Sequence, residues 1–111
     1  MQSWELRTID VQPHHPQILN SDRGESRSIL INLPAGEEMQ EHEVHERAHL
    51  VVIDGDVEIR HSGETASLSP GALAVFDPAE RHEVRARTDA RLLLLLAPWP
   101  GAGHPGARDG A

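Results

Sequence analysis

Residues 36–55 read GEEMQEHEVHERAHLVVIDG, and the fold depends on whether this stretch is helix or strand. It brings His42, His45 and His49 close together and ends in Asp54-Gly55, a strong short hairpin signal. His45-Glu46-Arg47-Ala48-His49 matches the HExxH pattern of zinc peptidases, in which two histidines one helical turn apart bind zinc and the Glu activates water. Residues 37–49 are also rich in good helix formers. Against this, Met39, Val44, Ala48 and Leu50 make no continuous helical stripe, so such a helix would have little to bury. A two-residue turn at Asp54-Gly55 would instead set Val52 opposite Val57, Leu50 opposite Ile59 and His49 opposite Arg60. Directly opposed residues share one face of a sheet. Leu50, Val52, Val57 and Ile59 then form one apolar face, and His49, Val51, Glu58 and Arg60 a mixed outer one. The stretch is read as strand, and the HExxH match as accidental.

Outward from there the punctuation is regular. RSILINL is followed by Pro34-Ala35-Gly36, DVEIRH by Ser62-Gly63, TASL by Ser69-Pro70-Gly71, ALAVF by Asp77-Pro78, HEVRA by Thr88-Asp89, and RLLLLLA by Pro98. Short strands separated by turn residues at such spacing signal an antiparallel sandwich or barrel. The expectation is an all-β chain in three parts. Residues 1–26 give an N-terminal strand (Trp4 to Ile9) and a loop packing on the barrel. Residues 27–98 form the barrel, and 99–111 a Gly/Pro-rich tail ordered where Trp99 docks. His14 and His15, between Pro13 and Pro16, are expected to be solvent-exposed.

Arg81 to Arg87 alternates strictly: His82, Val84 and Ala86 share one face, and four charged residues share the other. The charged face must meet solvent, so His82 points inward. An inward imidazole needs partners for both nitrogens. It is either a core histidine bonded to a backbone carbonyl or a group lining a cavity. By the same alternation His61 lies at the rim.

The bulk figures narrow the partners. The chain has 111 residues, enough for one domain, with 18 acidic against 10 basic residues and a net charge of −8. That balance repels phosphate backbones and anionic lipid, so no nucleic acid and no membrane partner is expected. Without Cys, disulfides and thiolate metal sites are excluded, and a metal would need imidazole and carboxylate ligands. No secretory signal is visible in MQSWELRTID, and a cytoplasmic setting is expected.

The spacing resembles the cupin family over residues 28–97. Cupins carry a first motif of Gly, five residues, His-x-His, three or four residues, Glu, six residues, Gly. The second is Gly, five residues, Pro-x-Gly, two residues, His, three residues, Asn. Gly36, His42 and Gly55 fit the first motif, and Gly71 and His82 the second. Val44 stands where the second His would be, Ala48 at the Glu, and Ala86 at the Asn. Pro78 is displaced by one. The resemblance implies a double-stranded β-helix, or jelly-roll barrel, with a cavity between two sheets. It also implies a divalent metal (zinc, iron, nickel or manganese) on His42 and His82, with His45 replacing the second His if the strand bulges. Glu41, Glu43 and Glu46 could each supply an oxygen, but clustered loop carboxylates are expected to be solvated.

Two functions follow as expectations. One is a small-molecule-binding cupin in which a metal polarises or orients an oxygen-rich substrate, with His82 or His45 moving protons where they are not ligands. The other is a metal-free binding or sensing module, favoured by Ala48. The zinc peptidase is a distant third. Finally, Leu92–Leu96 shows no alternation, so both faces of that strand must be covered. The N-terminal segment can cover part, and a homodimer is expected to cover the rest.

Overall fold

Alternation of apolar residues sets the architecture. The computed structural model describes residues 1–42 and 44–104, with the side chains of residues 40–42 excepted. The described residues form nine strands: β1 (Gln17–Asp22), β2 (Ser26–Leu33), β3 (Glu38–His42), β4 (Arg47–Asp54), β5 (Val57–His61), β6 (Glu64–Leu68), β7 (Leu73–Phe76), β8 (His82–Ala86) and β9 (Ala90–Ala97). They form two antiparallel sheets, in the orders β1-β2-β9-β4-β7 and β3-β8-β5-β6. Among the described residues there is no helix, and none is long and apolar enough to cross a membrane.

The core lies between the sheets. Leu50, Val52, Phe76, Leu92, Leu94 and Leu96 come from one, and Val57, Ile59, Val84 and Ala86 from the other. Each fully buried Leu or Val contributes about 1.5–3 kcal/mol relative to leaving it exposed. The predicted faces of β4, β5 and β8 are therefore the observed ones.

The predicted hairpin is not. β4 pairs with β7 and β9, while β5 pairs with β6 and β8. The Asp54-Gly55 turn carries the chain from one sheet to the other, and His49 lies beside Leu95 and Val75 rather than Arg60. Two strands with one apolar face each can bury them side by side or face to face. Alternation is the same in both cases, so it cannot choose. Gly55 fits the crossing turn because it sits at φ 76 and packs so closely on Asp89 that a Cβ would lie 2.1 Å from its carbonyl oxygen.

The N-terminal expectation also needs correcting. Residues 6–8 form a turn, not part of a strand over Trp4 to Ile9, and β1 falls instead in the stretch read as loop. β1 is an edge strand with a register irregularity between Ile18 and Asn20. Edge strands tolerate the polar residues that resemble turn signals. The preceding segment packs over the outer face of β2 and β9. Arg91 donates to the Leu6 carbonyl at 2.8 Å, Asn32 donates to that of Val11 at 2.9 Å, and Val11 and Leu30 are buried there.

Ladder registers sort the turns between two ends. Residues 34–37, 54–56, 69–72 and 87–90 gather at one end, and 23–25, 44–46, 62–63, 77–81 and 98–104 at the other. The second end carries His42, His45, His61, His82 and His104.

Candidate functional site

His82 opens β8 and faces the core, 7 % exposed, as alternation requires. Its ring stacks on Phe76 with centroids 3.8 Å apart and planes 4° apart. Nδ1 lies 3.3 Å from the Glu80 carbonyl oxygen. A carbonyl only accepts, so Nδ1 carries the hydrogen, and in the neutral ring Nε2 holds the lone pair. That bond fixes ring and tautomer as a second-shell carbonyl does for a ligand histidine.

The residue opposite is His42, whose Cα is the ladder partner of His82. The two histidines, forty residues apart in sequence, thus meet at one end of one sheet, next to a register irregularity between Met39 and His42. The His42 side chain, the Glu41 side chain and all of Glu43 lie outside the described residues.

His45 packs against the tail. Its ring meets that of His104 edge-on at 5.7 Å, and the His104 ring lies 4.8 Å from Trp99. Trp99 docks as expected: Arg27 stacks over it at 3.9 Å, and its backbone exchanges hydrogen bonds with Gly24 and Glu25. Residues 98–104 form a strap across this end.

Glu46, expected to be solvated, is 1 % exposed and accepts a hydrogen bond from the Gly101 amide at 2.6 Å. Gly101 comes so close that a Cβ would sit 2.2 Å from the His45 carbonyl oxygen. Nothing in the order of residues joins Glu46 to Gly101. Gly101 in the Gly/Pro-rich tail was the only signal that the backbone comes close to something there.

His61, expected at the rim, and Glu80, missed in the sequence, complete the site. His61, at the end of β5, places Nε2 2.9 Å from Glu80 Oε1, and Glu80 Oε2 accepts the Asp77 amide at 3.0 Å. Glu80 therefore touches His61 through its carboxylate and His82 through its carbonyl. The turn holding it passes through Ala79 at φ 65, the position at which the cupin motif carries Gly.

These residues border two connected depressions. A groove of about 710 Å³ runs along Arg60–Thr65 and Glu80–Glu83 and includes His82. A cleft of about 220 Å³, lined by Ile59, Ala66, Leu68, Ala74 and Phe76, enters between the edge strands β6 and β7. The first is polar and the second apolar, the mixture by which small-molecule sites both bury and orient a ligand.

The donor set for a metal is incomplete among the described residues. Ala48 and Val44 sit in or against the apolar core, at the positions of the family's Glu and second His. His45 is packed on the strap. Among the described residues no group of three His, Asp or Glu is placed to hold a metal ion. His82 alone of them has the position and tautomer of a ligand. The HExxH peptidase reading also fails: β4 begins at Arg47, so His45 and His49 do not share a helical face.

Comparison with known proteins agrees with the fold. The family model described as "Cupin domain" matches residues 29–98. An RmlC-like cupin from Desulfovibrio desulfuricans superposes with a TM-score of 0.78 at 24 % identity, over 88 % of this chain and 97 % of that one. A double-stranded β-helix protein from Klebsiella pneumoniae gives 0.74 at 17 %, over 92 % of each. The cupin domain of Schizosaccharomyces pombe Cnp3 gives 0.74 at 14 %, over 84 % of this chain and 66 % of that one. In sequence, an L-ectoine synthase from Thermobifida fusca is 40 % identical over 48 residues, 41 % of this chain and 36 % of the relative. With two sheets of the expected kind and a family match across β2 to β9, this chain belongs to the cupin-domain family.

Proposed function

We propose that this protein binds a small molecule at the histidine end of its barrel. The apolar part of the ligand would sit in the Ile59–Phe76 cleft and its polar part at His82. The observation that carries this reading is the state of His82: inward, held in one tautomer, lining the polar groove and stacked on Phe76, which lines the apolar cleft. The local likeness to an L-ectoine synthase supports a small-molecule ligand without naming it. The test is a thermal-shift screen of small organic acids, amines and polyols. A ligand at one hundred times its dissociation constant stabilises by about 2.7 kcal/mol. The hits should vanish in His82→Ala. Hits that survive that change would place the ligand elsewhere.

A metal-bound form is the second reading, favoured by the ladder pairing of His42 with His82. In it those residues, with His45 or the ligand itself as a third donor, hold zinc, iron, nickel or manganese. Elemental analysis of untagged protein decides it: stoichiometric metal that is lost in His42→Ala supports this form, and none supports the metal-free binder.

The assembly we propose is a homodimer through the outer face of the five-stranded sheet. Val51, Leu73, Val75, Leu93 and Leu95 share that face, and Leu73 and Val75 are 57 % and 48 % exposed. Contiguous exposed apolar residues of this kind mark contact sites. Light scattering should give twice the chain mass, falling to the monomer mass in Val75→Glu. A monomer in the unmodified protein refutes the assembly.

A further inference from the structure

The two sheets part company at β6 and β7. Each is the outer strand of its own sheet, so no backbone ladder closes the barrel on that side. At the histidine end of that gap His61, at the close of β5, meets Glu80, in the turn between β7 and β8. Both residues border the outer groove and the inner apolar cleft alike. Their side chains are 37 % and 23 % exposed, so the contact lies at the surface of the opening rather than within the core. The Glu80 carboxylate is held in place from behind by the Asp77 amide, and its turn is a tight one with Glu80 N–H on the Asp77 carbonyl.

We propose that His61 and Glu80 form a clasp across the mouth of the barrel, and that its release governs entry to the apolar cleft. The reasons are mechanical. The β5–β6 hairpin carries His61 beside a two-residue turn, just past the last β5–β8 ladder pair (Arg60 with Glu83), and its outer strand β6 is mostly exposed. Glu80 lies in the turn that leaves β7, in the other sheet, and enters β8, the neighbour of β5. A single hydrogen bond between partly exposed groups is enough to keep the mouth mostly shut and too little to lock it. Opening of this kind is the ordinary behaviour of ligand-gating turns. The clasp deepens the small-molecule reading, and it can be tested without any ligand.

The chain has no cysteine, so one thiol placed in the cleft reports access directly. Ala74 lines the cleft and is half-buried. In Ala74→Cys, modification by neutral N-ethylmaleimide should proceed several-fold faster once Glu80→Ala or His61→Ala is added. Ser67→Cys, on the exposed strand β6, should be unaffected by either change. Glu80→Gln keeps an oxygen for the His61 N–H and removes the charge, so its rate should stay near that of the parent. Unchanged rates in the two alanine variants overturn the clasp. A rise in Glu80→Gln equal to that in Glu80→Ala also overturns it, because the effect is then the loss of a negative charge beside a thiol. A failed clasp leaves the ligand screen untouched, and a failed screen leaves the labelling result standing.

Discussion

The two ends of this barrel are built from different materials. At the end holding Gly55 the chain is tied largely by its own backbone. Gly36 N–H donates to the Ala86 carbonyl and Ala86 N–H to that of Glu37, at 2.8 and 3.0 Å, and Arg87 N–H donates to the Asp56 carbonyl at 2.8 Å. Short side chains finish it: the Asp89 carboxylate accepts Ala35 N–H and the Thr88 hydroxyl accepts Asp56 N–H. At the histidine end backbone ties, such as those between Trp99 and Gly24 and Glu25, are joined by long side chains, Glu46 to Gly101, His61 to Glu80 and Arg27 over Trp99. Backbone ties fix geometry closely and leave little room for a ligand. Side-chain ties can exchange a protein partner for a bound one. One end thus sets the shape of the barrel, and the other can afford to change.

The sharpest way to break that contrast is Gly55→Ala. The added methyl would meet the Asp89 carbonyl, and φ 76 is strained for any L side chain. We expect a loss of about 3 kcal/mol or more, in the range of strained backbone positions combined with overpacking, read by urea denaturation. A loss under about 1 kcal/mol would mean that this end yields as easily as the other. Next is Glu46→Ala, which leaves a buried Gly101 N–H unpaired and should cost about 2 kcal/mol. It should also speed amide exchange and proteolysis within residues 98–104 while sparing β4 and β9. Uniform loosening of the whole barrel would show that the strap is part of the core rather than a separate closure.

Smaller effects sharpen the contrast further. Ala79→Gly removes a left-handed non-glycine residue from the turn that carries Glu80. It should stabilise by about 0.5–1 kcal/mol, measured as a raised melting temperature. Destabilisation would show that the Ala79 methyl packs favourably. Asp77→Asn breaks the exposed Arg47–Asp77 ion pair and should change stability by at most about 0.5 kcal/mol.

Each end was legible to a different degree. Asp54-Gly55 and Gly36 announced turns in the sequence, although the first joins two sheets and not two neighbouring strands. His82 was readable because four charged residues alternate with it, and charge cannot be buried on that face. Glu80 was not readable. It follows Pro78-Ala79 in a turn, where carboxylates are usually solvated, and its carbonyl matters as much as its side chain. Glu46 was misjudged for the same reason: its neighbours in sequence are charged, and only the returning strap removes it from water. His45 stood out by its distance along the chain from His42, and nothing there announced that it meets His104, nearly sixty residues away in sequence.

By itself, the sequence determined which side of β4, β5 and β8 is apolar, where most of the turns fall, and that the barrel is all-β. These are properties of nearest neighbours and of a two-residue period, and they hold whichever strands come to lie together. Which sheet each strand joined, which carboxylates lost their water and which histidines met were decided only by the tertiary structure. Those outcomes depend on contacts between distant residues, and alternation along one strand carries no information about the partner across the core.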